Sequence, residues 1–154
     1  MAAHRGVRED ERMPQPNLEK IRFYDADVGY ENLWAERDDA GLYLIKSVPY
    51  FIYDISVDDL VRVEPDENDH VLCFREVIAH SKHTTIRVRP KEYTLSEPQG
   101  ESLLRRLKSF GAVIETLPPR LIAVDIPTCE GVEPITRFLT EIAVPWEWAD
   151  KAPC

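Results

Sequence analysis

Short runs of alternating hydrophobic and polar residues fill the first half of the chain. In the first such run, Leu33 and Ala35 fall on one side of an extended segment and Trp34 on the other, which predicts a strand. Turn residues separate the runs at short intervals, and no helical period is present. This half therefore predicts a small β-barrel or a curled antiparallel sheet. The predicted strands are 31–37, 42–47, 57–63 and 71–79.

The second half has a different pattern, in which alternating runs are separated by helical ones. Ile86 and Val88 alternate with polar residues, whereas Leu103 and Leu107 recur at the spacing of a helix that Gly111 ends. The resulting order β-α-β-β-α-β is typical of a ferredoxin-like sandwich. The predicted elements are strands at 84–89, 112–117, 121–126 and 146–148, with helices between 96 and 111 and between 130 and 145.

Together these patterns predict an α+β protein with three regions. We expect a disordered leader at 1–16, a β-rich subdomain at 17–80 and a ferredoxin-like subdomain at 81–154. The apolar segment 48–53 contains a proline, which favours a buried crossing or an edge segment over a central strand. Trp146 and Trp148 share one face of the last strand, and we expect them to pack against the β-rich half.

Charge limits the classes of partner. The chain has 28 Asp and Glu against 19 Lys and Arg, a net charge of −9. Nucleic acid is therefore an unfavourable partner, because phosphate binding needs a segregated basic surface. An acidic surface instead favours a basic protein partner. The basic residues that come nearest to a cluster are Arg87, Arg89, Lys91, Arg105, Arg106 and Lys108.

The cysteines and the apolar segments bear on location. The three cysteines form no C-x-x-C pair, a pattern that suits a reducing compartment, and Cys154 is expected to be a free, exposed thiol. A chain of 154 residues buries enough surface to fold without disulfides or a structural metal. No segment resembles a signal peptide or a membrane span. We therefore expect a cytoplasmic, soluble protein without a cofactor.

The strongest group of polar side chains begins at His80. His83, two threonines and Arg87 follow it, and Glu76 lies upstream on the preceding predicted strand. In a turn between antiparallel strands, Glu76 and His80 could approach His83 closely enough to bind a metal or relay a proton. Alternatively, His83 and the threonines only hydrogen-bond the turn, and Arg87 pairs with a carboxylate at the sheet edge. The short motifs of nucleotide-binding proteins and hydrolases are absent, so the sequence itself favours no catalytic residue and no metal.

Aromatic and acidic residues supply the other candidates for binding. Aromatic side chains are enriched at interfaces, but in a small barrel they also form the core. Acidic runs fall in three predicted turns, where they are either simply solvated or together form a rim that complements a basic surface. The aromatic group is Trp34, Tyr43, Tyr50, Phe51 and Tyr53. The predicted binding residues are Trp34, Tyr50, Tyr53, Asp58, Asp59, Asp66, Glu67, Asp69, His80 and His83.

Three stretches carry a family resemblance: 31–35 (ENLWA), 48–51 (VPYF) with 59–61 (DLV) behind it, and 81–88 (SKHTTIRV). Together they resemble the bacterial family known as domain of unknown function 4265, over about residues 30 to 149. The resemblance implies a bacterial origin and no particular activity. Small acidic bacterial proteins of this sort often look like immunity proteins, which neutralise toxins.

Three functional hypotheses follow. The first is a non-enzymatic binding protein, plausibly an immunity-type inhibitor of a basic toxin or enzyme. The second is a small-molecule-sensing regulatory module, because β-α-β-β-α-β units can dimerise through sheet edges and bind metabolites there. The third is a small enzyme that uses His83 with Glu76 or Arg87.

Overall fold

In the computed structural model, which describes residues 17–154, the first five strands form a closed barrel. Neighbouring strands are antiparallel, and β1 closes the barrel by pairing parallel with β5 at Arg22 and Cys73. Of the two expected arrangements, the closed barrel is confirmed. The strands are β1 (Leu18–Asp25), β2 (Gly29–Arg37), β3 (Tyr43–Ile45), β4 (Leu60–Pro65) and β5 (Leu72–Ala79).

Strand β1 lies ahead of the first strand that the sequence predicted. Ile21 and Phe23 are buried in the barrel, but charged residues surround them in the sequence and obscure the alternation. The strand pairs with β2 along its whole length, from Leu18 to Asp25. The predicted disordered leader, 1–16, lies outside the described residues.

The predicted strands of the barrel are present with modified ends. Leu33 and Ala35 point into the core as expected. Strand β3 is shorter than the predicted 42–47, because its ladders with β2 and β4 extend over only three and two residue pairs. The segment after it is buried at Val48, Tyr50 and Ile52, which confirms the predicted buried crossing.

The second half forms a four-stranded antiparallel sheet in the order β7-β8-β6-β9, with two helices in the chain order β-α-β-β-α-β. One apolar cluster fills the space between sheet and helices, to which the inward residues of both helices contribute, including Leu107 and Leu139. Gly111 ends the first helix in a left-handed conformation, φ +92°, which glycine adopts without strain. The elements are β6 (Thr84–Val88), α1 (Pro98–Ser109), β7 (Val113–Leu117), β8 (Leu121–Ile126), a 3-10 turn (Cys129–Gly131), α2 (Val132–Glu141) and β9 (Trp146–Asp150).

Barrel and sheet meet through a small apolar cluster of their own. Val48 and Tyr50 of the crossing segment pack against Leu121 and Ala123, which lie on the side of β8 away from the helices. The hydroxyl of Tyr50 donates a hydrogen bond to the carbonyl oxygen of Thr116 at 2.8 Å. The sheet is therefore covered on one face by helices and on the other by the barrel.

Two expectations about the C-terminal end were wrong. Cys154 is not a free thiol, because it forms a disulfide with Cys129 across 25 positions of sequence. The cysteine pattern therefore no longer supports a reducing compartment. Trp146 and Trp148 do not join the two halves: Trp146 packs on the cluster between sheet and helices, and Trp148 is exposed. The alternation of β9 points Glu147 instead toward the barrel, where it meets Tyr53.

Within the described residues, no helix is both long enough and apolar enough to cross a membrane.

Candidate functional site

The polar residues of interest lie where the barrel covers the sheet. Along β6, Ile86 and Val88 face the helices, so the alternation of the strand points Thr85 and Arg87 toward the barrel. We call the region around Arg87 the arginine end of this junction. The region around Thr85, where the strand begins, is the carboxylate end.

The arginine end is built around Arg87, which is 5% exposed. Its Nη1 donates to the carbonyl oxygen of Phe51 at 2.9 Å, and its Nη2 donates to that of Ile52. The guanidinium also lies over the ring of Tyr53, 4.7 Å from the centroid. Burial lowers the pKa of Arg87, and the negative charge of Glu31 opposes that shift. In the described part of the chain, Nε of Arg87 has no hydrogen-bond partner.

Glu31 holds the same loop from the other side. Its carboxylate is 1% exposed and accepts hydrogen bonds from the backbone amides of Tyr50, Phe51 and Ile52 at 2.6, 3.0 and 3.1 Å. The carbonyls of Phe51 and Ile52 accept from Arg87. We call this loop, 50–52, the clamp, because its amides face a buried anion of the barrel and its carbonyls face a buried cation of the sheet.

A cleft of about 330 Å³ opens beside the clamp, at the edge strand β9. Arg87 and Arg89 line it together with Tyr53, Trp146 and Glu147. The hydroxyl of Tyr53 donates to the carboxylate of Glu147 at 3.0 Å, and burial, with that hydrogen bond, raises the pKa of Tyr53. The walls therefore combine two cations, aromatic surface and one carboxylate.

At the carboxylate end, His83 lies between two carboxylates. Its Nδ1 is 2.7 Å from Oδ1 of Asp125, and its Nε2 is 3.4 Å from Oδ2 of Asp58. Asp58 also accepts a hydrogen bond from Nζ of Lys46 at 2.7 Å. Asp125 is buried, and burial raises its pKa, although the hydrogen bond with His83 opposes the shift. Both ring nitrogens of His83 therefore face carboxylates, one on β8 and one in the loop before β4. His83 thus links the sheet to the barrel.

A second group at this end contains Asp59, which is fully buried. Its two oxygens accept hydrogen bonds from the backbone amides of Ser56 and Ser81 at 2.9 and 2.7 Å. Nδ1 of His80 lies 3.4 Å from Oδ2 of Asp59. This carboxylate therefore ties the loop before β4 to the segment before β6.

Asp150 approaches the same group from β9. The hydroxyl of Ser56 donates to Oδ2 of Asp150 at 2.8 Å and shares a 2.7 Å hydrogen bond with the hydroxyl of Thr85. Burial raises the pKa of Asp150, and the hydrogen bond from Ser56 opposes the shift. Carboxylates of the barrel and of the sheet thus lie side by side at this end.

The predicted polar group is only partly assembled. Glu76 is not near the histidines: it is exposed, lies opposite Arg62 on β4, and pairs with its guanidinium at 2.7 Å. His80 and His83 separate to different carboxylates. Arg87 binds carbonyl groups of the clamp where a sheet-edge carboxylate was expected.

The predicted aromatic and acidic residues divide between core and surface. Tyr50 and Asp59 are buried, so neither presents its side chain to a partner. Tyr43 is also buried, Trp34 and Phe51 are half-buried, and Tyr53 is exposed. Among the acidic residues, Asp69 pairs with Arg22, Asp66 accepts the amide of Asn68, Asp58 meets Lys46 and His83, and Glu67 is exposed.

The basic residues do not form one surface. Arg87 is buried under the clamp, on the barrel side of the sheet. Arg105, Arg106 and Lys108 lie on α1, on the other side. The segregated basic surface that nucleic acid would require is not formed by this set.

Three carboxylates of the junction were not singled out from the sequence. Glu31 is in phase with the buried Leu33 and Ala35, and that position alone signals a buried acid. Asp125 is the one charged residue in an otherwise apolar strand, a similar signal. Asp150 carries no such signal, because a bulge in the β6–β9 ladder brings it to Thr85.

Comparison with known proteins assigns the chain to a family. The fold and the junction define an α+β protein in which a five-stranded barrel covers one face of a β-α-β-β-α-β sheet. The chain belongs to the family described as Domain of unknown function (DUF4265), whose model matches residues 31–148. The curated proteins include no match to the chain.

A solved structure has a similar fold. It is described as a novel crystal structure of a hypothetical protein from Neisseria gonorrhoeae, and it superposes with a TM-score of 0.69 at 19% sequence identity. The match covers 93% of this chain and 100% of that one. At this identity the likeness concerns the fold alone.

Proposed function

We propose that the protein binds a small organic molecule that carries an anionic group, in the cleft at the arginine end. The observation that carries this proposal is Arg87. Its guanidinium lines the cleft, and the clamp binds two of its nitrogens and so fixes the positive charge at the cleft wall.

The size and walls of the cleft support the same conclusion. Its volume of about 330 Å³ is at the lower end of the range for small-molecule sites. Arg89 is exposed and lines the cleft, so it supplies a second cation that a carboxylate or phosphate can reach. Phe51 and Tyr53 supply aromatic surface for the body of the ligand.

Glu147 restricts the class of ligand that the cleft can bind. A carboxylate in the same cleft repels a ligand that is anionic throughout, and it accepts a hydrogen bond from a hydroxyl or an amino group. The best match is therefore a small hydroxy or amino acid, or a sugar phosphate. This is the small-molecule hypothesis from the sequence, with its site at the edge strand β9.

A thermal-shift screen tests the proposal. We would screen hydroxy acids, amino acids, sugar phosphates and nucleotides at millimolar concentration and measure the hits by calorimetry. A ligand at 100 times its Kd stabilises the fold by about 2.7 kcal/mol, which raises the Tm by roughly 5 °C or more. Arg89→Ala should weaken binding about tenfold, because a charge-assisted hydrogen bond contributes roughly 1.5–3 kcal/mol.

Arg105→Ala is the matched control, because Arg105 is an exposed arginine of α1 on the other side of the sheet. It should leave both the Tm shift and the affinity unchanged. If none of the four compound classes shifts the Tm, or if the two arginine variants bind equally well, the cleft is not a ligand site.

A second candidate is a binding protein for a basic protein partner, of the immunity-inhibitor type. Its support is the tip of the β1–β2 hairpin, where Tyr24 and Tyr30 are 68% and 51% exposed with ring centroids 5.3 Å apart. Val28 is also exposed, Asp25 is the last residue of β1, and Asp27 lies in the connecting turn. Exposed tyrosines flanked by carboxylates suit a basic protein surface.

Affinity capture from a source lysate tests this candidate. A specific partner should bind the wild type, elute with salt, and be lost from the Tyr24→Ala/Tyr30→Ala double variant. Ile78→Ala is the control, because Ile78 is an exposed hydrophobic residue on β5, 47% exposed against 51% for Tyr30. A captured protein that is retained by the double variant would contradict a role for the hairpin tip.

We also infer that the second half is a ferredoxin-like sandwich. The element order, the antiparallel ladders and the strand order β7-β8-β6-β9 support this arrangement. A superposition of residues 81–154 alone on such sandwiches tests it.

A further inference from the structure

We propose that Asp59, His80 and Asp150 form a binding site for a divalent transition-metal cation of the Zn²⁺ or Mn²⁺ type. One ligand atom from each residue lies within 4.8 Å of the other two. Zn²⁺ binds oxygen and nitrogen ligands at about 2.0–2.2 Å, so the ligand atoms around one ion are roughly 3–3.5 Å apart. Nδ1 of His80 already lies 3.4 Å from Oδ2 of Asp59, and its side chain is 55% exposed, so the imidazole can turn toward an ion between the two carboxylates.

The carboxylates of this site are already oriented. Asp59 is fixed by the backbone amides of Ser56 and Ser81, one on each oxygen. Asp150 is fixed by the hydroxyl of Ser56. Each carboxylate oxygen has two lone pairs, so these hydrogen bonds leave acceptor capacity on both acids. Such supporting bonds are what orient the ligands of known metal sites.

Electrostatics favours a cation at this point. Asp59 is fully buried, and Asp150 is half-buried beside it, so two negative charges meet where water is partly excluded. Like charges in a site of low dielectric repel, and a divalent cation between them removes that repulsion. The carboxylates come from the barrel and the sheet, so the ion would link the two halves.

The ligand chemistry selects the class of metal. One imidazole with two carboxylates suits Zn²⁺, Mn²⁺ or Fe²⁺, whereas Mg²⁺ and Ca²⁺ prefer an all-oxygen set. His80 faces solvent on its other side, so water can complete the coordination. His83 differs from His80 in this respect, because each of its two ring nitrogens already faces a carboxylate.

Calorimetric titration of metal-free protein with ZnCl₂ and MnCl₂ tests the site. All proteins would carry Cys73→Ser, because Cys73 is a free thiol that binds zinc. We expect one ion per chain, and at least tenfold weaker binding in His80→Ala and in Asp150→Asn. Asparagine still accepts the hydrogen bond from Ser56, so the Asp150 variant should fold. Circular dichroism of both variants would establish that they do.

The matched control is His70→Asn, which removes the exposed histidine of the β4–β5 turn and keeps a residue that tolerates its positive φ of 62°. It should bind both metals as the wild type does. Addition of ZnCl₂ should also raise the Tm of the wild type and of His70→Asn, reversibly with EDTA, and leave that of His80→Ala unchanged. Equal affinity in the His80 and His70 variants, or no binding by the wild type, would overturn the proposal. Neither outcome bears on the cleft, which shares no residue with this site.

Discussion

The two ends of the junction bury charge in different ways. At the arginine end, Glu31 and Arg87 are both almost fully buried, and backbone groups of the clamp lie between them and bind both charges. At the carboxylate end, acids outnumber cations, and their partners are the hydroxyl of Ser56, backbone amides, Lys46 and two histidines. One end is balanced within the chain, whereas the other carries an excess of negative charge.

This difference explains why we assign a different kind of ligand to each end. A balanced pair stabilises the fold, and the charges of Arg87 and Arg89 in the wall of the cleft attract an anion. An excess of carboxylates is unfavourable in a partly dry site, and a cation offsets it. Variants at the two ends should therefore differ in size of effect and in their dependence on pH.

The largest effect is expected for Glu31→Gln. Glutamine offers one acceptor oxygen to the three amides that Glu31 binds, brings an NH₂ group against them, and leaves Arg87 without its countercharge. Breaking a buried charge pair costs about 3–5 kcal/mol. Urea denaturation would measure the loss.

The control for this variant is Glu36→Gln on the same strand, where the acid is half-buried and accepts a hydrogen bond from Asn17 at the surface. A surface change of this kind should fall within about 0.5 kcal/mol. Similar values for the two variants would show that the clamp does not depend on the charge of Glu31.

Next in size is the disulfide that holds the chain after β9. It closes a loop of 25 positions, for which loop-closure entropy predicts about 3 kcal/mol of stabilisation. Cys154→Ser should therefore lower the free energy of unfolding by that amount and speed amide exchange at Ala152, whose N–H donates to Thr84. Cys73→Ser, which breaks no disulfide, is the control. A loss below about 1 kcal/mol for the Cys154 variant would contradict this account.

A smaller effect is expected for Ser56→Ala at the carboxylate end. The variant leaves Thr85 and Asp150 without a shared hydroxyl in a buried position, which costs about 1–3 kcal/mol. Ser102→Ala, on the exposed face of α1, should be close to neutral. Thermal denaturation of both variants in EDTA would measure the contrast, and equal Tm values would show that this hydroxyl contributes nothing.

The smallest effect is a pH dependence. The pKa of Asp125 is raised by burial, so its protonated form is favoured in the folded state and its contribution to stability is lost as the pH rises through the folded pKa. Asp125→Asn removes that loss. The difference in free energy of unfolding, variant minus wild type, should therefore increase from about pH 3 to pH 7.

Chemical denaturation in EDTA at intervals of pH would measure this slope. The groups that face Asp125 are His83, Asp58 and Glu115, so the same series in Asp58→Asn would show how much of the slope comes from that carboxylate. A difference that decreases with rising pH would mean that His83 holds Asp125 ionised, against the direction inferred here.

Periodicity predicted the fold best where one face is apolar and the other polar. Leu33, Ala35, Ile86 and Val88 are inward as expected, and the second half has the predicted order of elements. β1 was missed because charged residues conceal Ile21 and Phe23. The disulfide was missed because spacing alone does not show which cysteines meet in space.

The site was less predictable than the fold, because its residues are far apart in sequence. His80 and His83 were recognised, but their carboxylate partners come from other strands and loops. Glu76 lies at a suitable distance from the two histidines in the sequence, but its side chain pairs with Arg62 on β4 instead. A buried acid in phase with apolar residues, as at Glu31, is the signal to look for in such chains.

The clamp also bears on whether the two halves can exist separately. The boundary near residue 80 divides two architectures, yet the carbonyls that hold Arg87 belong to the barrel, as does the amide of Asp54 that donates to Ala149. Cutting the chain there would uncover Leu121 and Ala123 and leave Arg87 without its acceptors. We therefore expect barrel and sheet to unfold as one cooperative unit, and neither half to fold intact after dissection.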